Sequence, residues 1–474
     1  MAVTAPSVDI PDFGTAWTEE KARQIFRQGE ETVVFTLLQL AKQLQQAQAG
    51  SALGPSTPSG MKPIYQKPQA STRRKKPGRK AGHPGARRAA PERIDQTKKH
   101  RLQRCPNCGG QLKRCQQTRT RYIEDIPENI QPQVTKHLIH RDWCPRCRKH
   151  VEPAVPDALP KATLGNRVLV LSAWLHYGLG NTLSQIVETF NYHLQMKLTP
   201  GGLVGMWHRL AELLYAWYEQ IQAQALHSAV LHADETGWRV NGKTHWLWCF
   251  ASQDLTYYLI DRSRGSPALL KFFTETFAGT LVSDFWGAYN AVCCGQRQTC
   301  LVHLLRDLEK VEHYGTANKD WPVFAKKLRR LLHDSIRLWK RDSVPEAEYA
   351  SRRSRLSLRL QSLIEAEWQN SDARRLIKRL RRHRDDLFTF LDKPGVPFEN
   401  NHAERAIRPA VIIRKNSYAN RSVRGADTQA VLMSIYRTLK QRGHHPIQSI
   451  TQGIESFLRT GQLPPLPQKI TANG

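Results

Sequence analysis

Two short apolar runs, about fifty residues apart, each deliver an aspartate into a turn, and this repetition constrains the chain more than any other feature. The first is Ala229-Val-Leu231, which leads to Asp234-Glu235 and then to Thr236-Gly237. The second is Thr280-Leu-Val-Ser283, which leads to Asp284 and the turn Phe285-Trp-Gly-Ala-Tyr289. A sheet holds the last residues of its strands, so a carboxylate placed there can be aimed. One such aspartate alone reads as a turn residue; two point to paired carboxylates.

The surrounding pattern supplies a sheet to carry them. Trp246–Phe250 and Thr256–Ile260 read as further strands, and 266–277 as a helix. A shorter run, Thr299–Val302, leads into His303 and another helix. Three strands, a helix, a strand, a helix and a strand is the order of a ribonuclease-H-like α/β fold, in which the two aspartate positions lie side by side. Neighbouring carboxylates repel, and a hard divalent ion relieves the repulsion. Two such ions can activate a water or hydroxyl and stabilise the leaving oxygen of a phosphodiester. A third carboxylate follows the prolines Pro394 and Pro397, in Phe398-Glu-Asn-Asn-His-Ala-Glu404-Arg-Ala-Ile-Arg-Pro409. Glu404 would begin a helix beside the strands, and Glu399 is its rival. Arg405, Arg408, Arg414, Lys415 and Asn416 surround it with groups suited to holding a polyanion.

Charge and cysteine spacing bear on the rest. The 474 residues suffice for two to four domains and carry 71 Lys+Arg against 41 Asp+Glu, a net charge of +30, which implies a polyanionic partner, nucleic acid above all. Residues 51–150 hold 24 Lys+Arg and 6 Asp+Glu, so 18 of the net charges sit there. Within them, Arg73, Arg74, Lys75, Lys76, Arg79 and Lys80 belong to a Pro/Gly-rich stretch without apolar periodicity. It reads as a DNA-contacting arm, or else as a solvated linker. Cys105-Pro-Asn-Cys108 and Cys144-Pro-Arg-Cys147 form two knuckles separated by strand-like stretches at Tyr122–Ile126 and Gln133–His140. Four thiolates on two tight turns can close a tetrahedral Zn²⁺ site, with a redox pair or free thiols as the other reading. Cys115 fits neither knuckle and reads as packing.

Residues 17–48 read as one helix entered at Thr18, with Val33, Leu37, Leu40, Leu44 and Ala47 at heptad spacing. That stripe suits a small dimerising zipper or a helix docked on its own protein. Residues 165–228 look helical throughout: 167–177, 183–193, and a third helix with Thr199 as N-cap and Pro200 at its first position. The second and third resemble a helix-turn-helix, although paired helices are common without DNA. Residues 316–393 carry 20 Lys+Arg against 11 Asp+Glu on long helices whose apolar face includes Leu328, Leu331, Leu332 and Ile336; the charge is either a second path for DNA or a solvated face. Trp238, Trp246 and Trp248 read as core, and Glu235 as a supporting residue. There is neither a spanning helix nor a signal-peptide pattern, which favours a cytoplasmic protein.

Taken together, these motifs resemble the insertion sequence 66 family of transposases over essentially the whole chain. The resemblance is carried by Gly-His-Pro-Gly (82–85), the two Cys-Pro-x-Cys knuckles, His-Ala-Asp-Glu-Thr-Gly-Trp (232–238) and Ser-Asp-Phe-Trp-Gly-Ala-Tyr (283–289), with Asn-Asn-His-Ala-Glu-Arg-Ala-Ile-Arg-Pro (400–409) and Arg-Lys-Asn-Ser (414–417). It implies a catalytic Asp-Asp-Glu triad at Asp234, Asp284 and Glu404, preferring Glu404 over Glu399, and a helical insertion before the glutamate. It implies Mg²⁺ (or Mn²⁺) at the triad, cleavage at the element's ends, and direct transfer of the 3′-OH into target DNA. The implied partners are double-stranded DNA (terminal inverted repeats and target), further copies of the chain in a homodimer or larger assembly, and small accessory proteins of the same element, in a bacterial, nucleoid-associated setting. The expected division is an N-terminal helix (1–49), the basic arm (50–100), a zinc ribbon (101–155) and a helical region (156–228). A ribonuclease-H-like catalytic domain (229–315 and 394–440) follows, with its insertion (316–393) and a C-terminal tail (441–474). Two rivals remain: a structure-specific nuclease that never joins, and a non-catalytic zinc-ribbon DNA-binding protein.

Overall fold

The computed structural model describes residues 90–470, apart from 114–116, 315–319 and 342–343, together with parts of 19–37. Arg73 to Lys80, Thr18, Cys115 and the heptad positions Leu40, Leu44 and Ala47 lie outside the described residues. The N-terminal segment is helical on both sides of a break, since Glu30, Val33, Val34 and Leu37 are helical as well. Helix α1 covers Glu19–Arg27, with both acidic residues in its first turn. Gly29, at φ +107°, interrupts it there, a backbone conformation only glycine adopts without strain.

The chain divides into two units. The smaller comprises 68–213 and 450–464. Its ordered strands are β1 (Asp142–Cys144) and β2 (Lys149–Val151), an antiparallel hairpin around the second knuckle. The stretches 122–126 and 133–140 are not strands. They have strand-like composition but no ladder partner, and Ile123, Ile126, Val134 and Leu138 remain exposed. Helices α2 (Asn166–Ala173), α3 (Leu183–His193) and α4 (Pro200–Leu213) follow, with a π-turn over Trp174–Gly178. Thr182 and Gln185 form a reciprocal capping box on α3. Thr199 Oγ accepts from the Gly202 N–H at 3.2 Å to cap α4. Buried Trp207 donates its indole N–H to Ser172 Oγ and stacks on His176, tying α4 to α2 and the π-turn.

The larger unit comprises 1–67, 214–449 and 465–474. Helix α5 (Tyr215–Leu226) leads to strands β3 (Val230–Val240), β4 (Lys243–Ala251) and β5 (Thr256–Asp261). Helix α6 (Ser266–Phe272), β6 (Phe277–Ser283), a 3₁₀ turn over Gly287–Ala291 and β7 (Cys294–Thr299) complete the sheet. Its order is β5-β4-β3-β6-β7. The first three strands are antiparallel; β6 and β7 run parallel to β3. The last strand therefore lies earlier than 299–302, because Leu301 already belongs to helix α7 (Leu301–Tyr314). Strand β3 also does not end at Asp234. It continues to a tight turn at Asn241-Gly242, both at positive φ, because the antiparallel ladder with β4 persists from His232 to Val240. What ends near Asp234 is the parallel ladder with β6, whose last pair is His232–Val282.

The insertion consists of α8 (Trp321–Trp339), α9 (Glu346–Glu365), α10 (Ser371–Arg382) and the single turn α11 (Thr389–Asp392). It shares one apolar core with α7, through Leu304, Leu308, Leu328, Leu332 and Leu376. Helices α12 (Asn401–Ser417), α13 (Val423–Gln441) and α14 (Pro446–Thr460) end the fold.

Both sheet edges are covered, which removes unpaired strand groups from solvent. On edge strand β5, the N–H groups of Thr256 and Tyr258 donate to Thr438 Oγ1 (3.1 Å) and Ser434 Oγ (2.9 Å) of α13. Four residues of helix rise about 6 Å and two of strand about 6.6 Å, so the hydroxyls keep step with the strand. On β7, Thr299 N–H donates to Asp386 O, and Thr389 Oγ1 to Arg297 O.

Candidate active site

Residues His232, Asp234 and Thr236 alternate along β3 and so face one side of the sheet. Helix α12 packs along that side. The side chain of Asn400, immediately before α12, is buried at 1% exposure and spans the junction. Its Oδ1 accepts from His232 Nδ1 at 3.0 Å, and its Nδ2 donates to Ala233 O at 2.7 Å. Its own N–H donates to Cys300 Sγ, while the Cys300 N–H donates to Ser283 O, next to Asp284. Its carbonyl accepts from the Glu404 N–H. One buried amide thus links the three segments that carry Asp234, Asp284 and Glu404.

The charges on those segments interact. Asp234 accepts one hydrogen bond, from the Glu235 N–H at 2.9 Å. Its carboxyl is pushed well above the ordinary carboxylate range, first by burial, then by the negative charges of Glu235, Asp284 and Glu404. Asp284 lies just beyond β6 and accepts from the Trp286 N–H at 2.8 Å, an Asx turn. Glu404 sits in the first turn of α12 with its Oε1 on Arg306 Nη1 at 3.0 Å.

Glu235 faces the opposite side, with a side chain 3% exposed. Arg264 Nη2 and Tyr289 Oη both donate to it, at 3.1 and 2.7 Å. Burial and Asp284 still raise its carboxyl. Arg264 is itself clamped between two indoles, 4.3 Å from the Trp246 ring centre and 4.0 Å from that of Trp286. Trp238 and Trp248 are core, whereas Trp246 is only half-buried.

The basic residues expected around Glu404 divide into two sets. Arg405, Arg408 and Lys415 are exposed on α12. Arg414 is committed to the strand instead: its Nη1 donates to Thr236 Oγ1 at 2.9 Å and also to Gly237 O. Asn416 is exposed but already has a partner. His303, one turn before Arg306 on α7, keeps a buried Nδ1 without a partner, and burial lowers its pKa. Asn400, Arg264, Tyr289, His303 and Arg306 were not singled out as site residues by sequence reasoning. None of them carries a local signal, because the partners of Asn400, Arg264, Tyr289 and Arg306 lie far away in sequence.

The donor set fits a hard divalent cation in its chemistry: three carboxylates from three segments, with Asp234 strained by its neighbours' charge. Among the described residues, however, no three His, Cys, Asp or Glu side chains close on a common point, and Glu404 is turned onto Arg306. The knuckles behave alike. The backbone amides of Asn107 and Cys108 hold the Cys105 thiol below its ordinary range, and those of Cys147 do so for Cys144. That favours the thiolates a metal takes. The four sulfurs, Cys105, Cys108, Cys144 and Cys147, are not drawn into one cluster.

Comparison with known proteins bears on both sites. Residues 161–428, more than half of the chain, match the model of the transposase IS66 family. Residues 103–148, which contain both knuckles, match the zinc-finger binding domain of transposase IS66. An uncharacterized protein of Sinorhizobium fredii, y4qI, is 28% identical over 243 residues, which cover 45% of this chain and 44% of y4qI. A second uncharacterized protein of that organism, y4jD, is 23% identical over 399 residues, 75% of this chain and 74% of y4jD. The match thus spans less than half of the first relative and about three quarters of the second. Among the described residues, no helix is long and apolar enough to cross a membrane.

Proposed function

Because the chain belongs to the IS66 transposase family, we propose that it cuts DNA at the ends of its element and joins the freed 3′-hydroxyl to target DNA, using Asp234, Asp284 and Glu404. The observation that carries this reading is the charge crowding on Asp234, to which Asp284 and Glu404 contribute from distant parts of the sequence. The sheet order β5-β4-β3-β6-β7, with its helical insertion before Glu404, supports a ribonuclease-H-like catalytic domain over 229–315 and 394–440. The three carboxylates would hold Mg²⁺ or Mn²⁺, which supplies activation of the attacking oxygen and stabilisation of the leaving one.

The chain's own residues prepare that chemistry. Asn400 sets the helix of Glu404 against the strand of Asp234. Arg306 holds the Glu404 carboxylate and gives it up when Glu404 turns to join the two aspartates. Glu235, braced by Arg264 and Tyr289, stiffens β3 from the far side of the sheet. Arg405, Arg408 and Lys415 present positive charge for a DNA backbone, while Arg414 braces β3. Cys105, Cys108, Cys144 and Cys147 would hold Zn²⁺, and Arg73 to Lys80 add a basic arm for phosphates. Double-stranded DNA is the partner, with a second copy of the chain and small accessory proteins completing the assembly.

The test is cleavage and joining of labelled DNA carrying the element's own end, with Mg²⁺, by wild type and Asp284→Ala. Joined product from wild type alone is the expected result. Nicking without joining would support the non-joining nuclease. Equal nicking by both proteins would remove the triad assignment.

A further inference from the structure

Trp286 lies two residues beyond Asp284 and is unusually constrained for an exposed tryptophan. Its backbone N–H donates to Asp284 Oδ1 at 2.8 Å, and its indole N–H to Arg264 O at 3.0 Å. The Arg264 guanidinium covers one face of the ring and rests its other side on Trp246. The same guanidinium donates to Glu235, which faces the side of β3 opposite Asp234, so the stack is tied to that strand from behind and meets the site at its rim through Asp284. Despite these ties, 37% of Trp286 remains exposed. Single exposed apolar residues are ordinary on a protein surface. A rigid indole fastened to a carboxylate of the site and backed by a cation is a stacking platform.

A nucleobase suits it. Bases stack on aromatic rings without regard to sequence, and an arginine behind the ring adds cation–π attraction and offsets the carboxylates' repulsion of a phosphate backbone. A phosphodiester drawn toward carboxylates in a cleft leaves the base beside it with a lost stacking neighbour, and an indole can replace that neighbour. We propose that Trp286, backed by Arg264 and Trp246, stacks on an unpaired base next to the phosphodiester that is cut. This rests on the cut-and-join reading above.

The test is a coupling measurement between residue and base. Binding of the element-end duplex is measured in Ca²⁺, intact or with a single abasic site at each nucleotide flanking the cut, for wild type, Trp286→Ala and Trp286→Phe. Wild type should lose about tenfold in affinity when one particular base is removed. Trp286→Ala should lose about the same on intact DNA and be indifferent to that removal, while Trp286→Phe stays near wild type. The fluorescence of 2-aminopurine placed there should be quenched by wild type and not by Trp286→Ala. If Trp286→Ala weakens binding equally for intact and every abasic duplex, or not at all, the platform is overturned. Cleavage of the intact duplex by wild type in Mg²⁺ is run in parallel. Its absence would remove the premise and the inference together, whereas cleavage without base coupling would remove the inference alone.

Discussion

The sheet and helix that carry the three carboxylates and the segment that carries the four cysteines solve one problem, the gathering of ligands from distant sequence, in opposite ways. The sheet is held by its own hydrogen bonds and packing. Its edges are capped by α13 and by the returning insertion, its strands are buried, and a buried amide fixes the third carboxylate's helix against the first strand. The cysteine segment has a hairpin of three-residue strands and leaves Ile123, Ile126, Val134 and Leu138 exposed. Its knuckles are two tight turns whose four thiolates a bound Zn²⁺ would draw together. Packing energy positions one site; ligand binding energy must position the other.

That contrast can be broken in several places, and the largest effect is expected at the carboxylates. Asp284→Asn or Asp234→Asn should lower cleavage on the order of 10³-fold or more, since several kcal/mol of charge stabilisation are removed, while the fold persists. The next largest is chelation of zinc, which removes on the order of 10 kcal/mol from the cysteine segment. It should expose 101–151 to proteolysis and leave the thermal transition of the larger unit in place. Unfolding of both on chelation would end the contrast.

Asn400→Ala should destabilise the larger unit by about 1–3 kcal/mol for each orphaned partner, His232 and the Ala233 carbonyl, by denaturant titration. A pH effect of similar sign sharpens the reading. The Asp234 carboxyl is raised in the folded state, so the fold binds a proton that the unfolded chain has already released. Metal-free stability therefore falls as pH rises above the ordinary carboxylate range. Asp234→Asn should raise the melting temperature at pH 8 and confer little at pH 4, and Mn²⁺ should stabilise wild type at pH 8 but not the variant. The smallest expected effect is at Arg306. Its pair with Glu404 is partly exposed, so Arg306→Ala should change stability by less than about 1 kcal/mol, while lowering the Mg²⁺ concentration needed for half-maximal cleavage.

How much of this the residues disclose depends on whether a signal is local. Alternation and apolar runs located β3 to β6, and period two explains why Asp234 and Glu235, adjacent in sequence, serve opposite faces. Chain order alone did not reveal that β3 continues to Val240, because that depends on its ladder with β4. Tyr122–Ile126 carries strand propensity without a partner, and propensity alone does not make a strand. Arg414 looked like a phosphate ligand by charge; its distance from Thr236 in sequence hid its bond to β3. Asn400 stood in the sequence only as part of the 400–409 motif, and its role as a bridge among three segments depends on partners far away in the chain.

That Asp234, Asp284 and Glu404 form one site beside the sheet is a proposal with a direct test. Anomalous diffraction from crystals soaked in Mn²⁺ addresses it directly. The expected result is density contacted by Asp234 and Asp284, with Glu404 released from Arg306 and turned toward it. Ordered manganese elsewhere, or none between the aspartates with Glu404 still on Arg306, would contradict the claim.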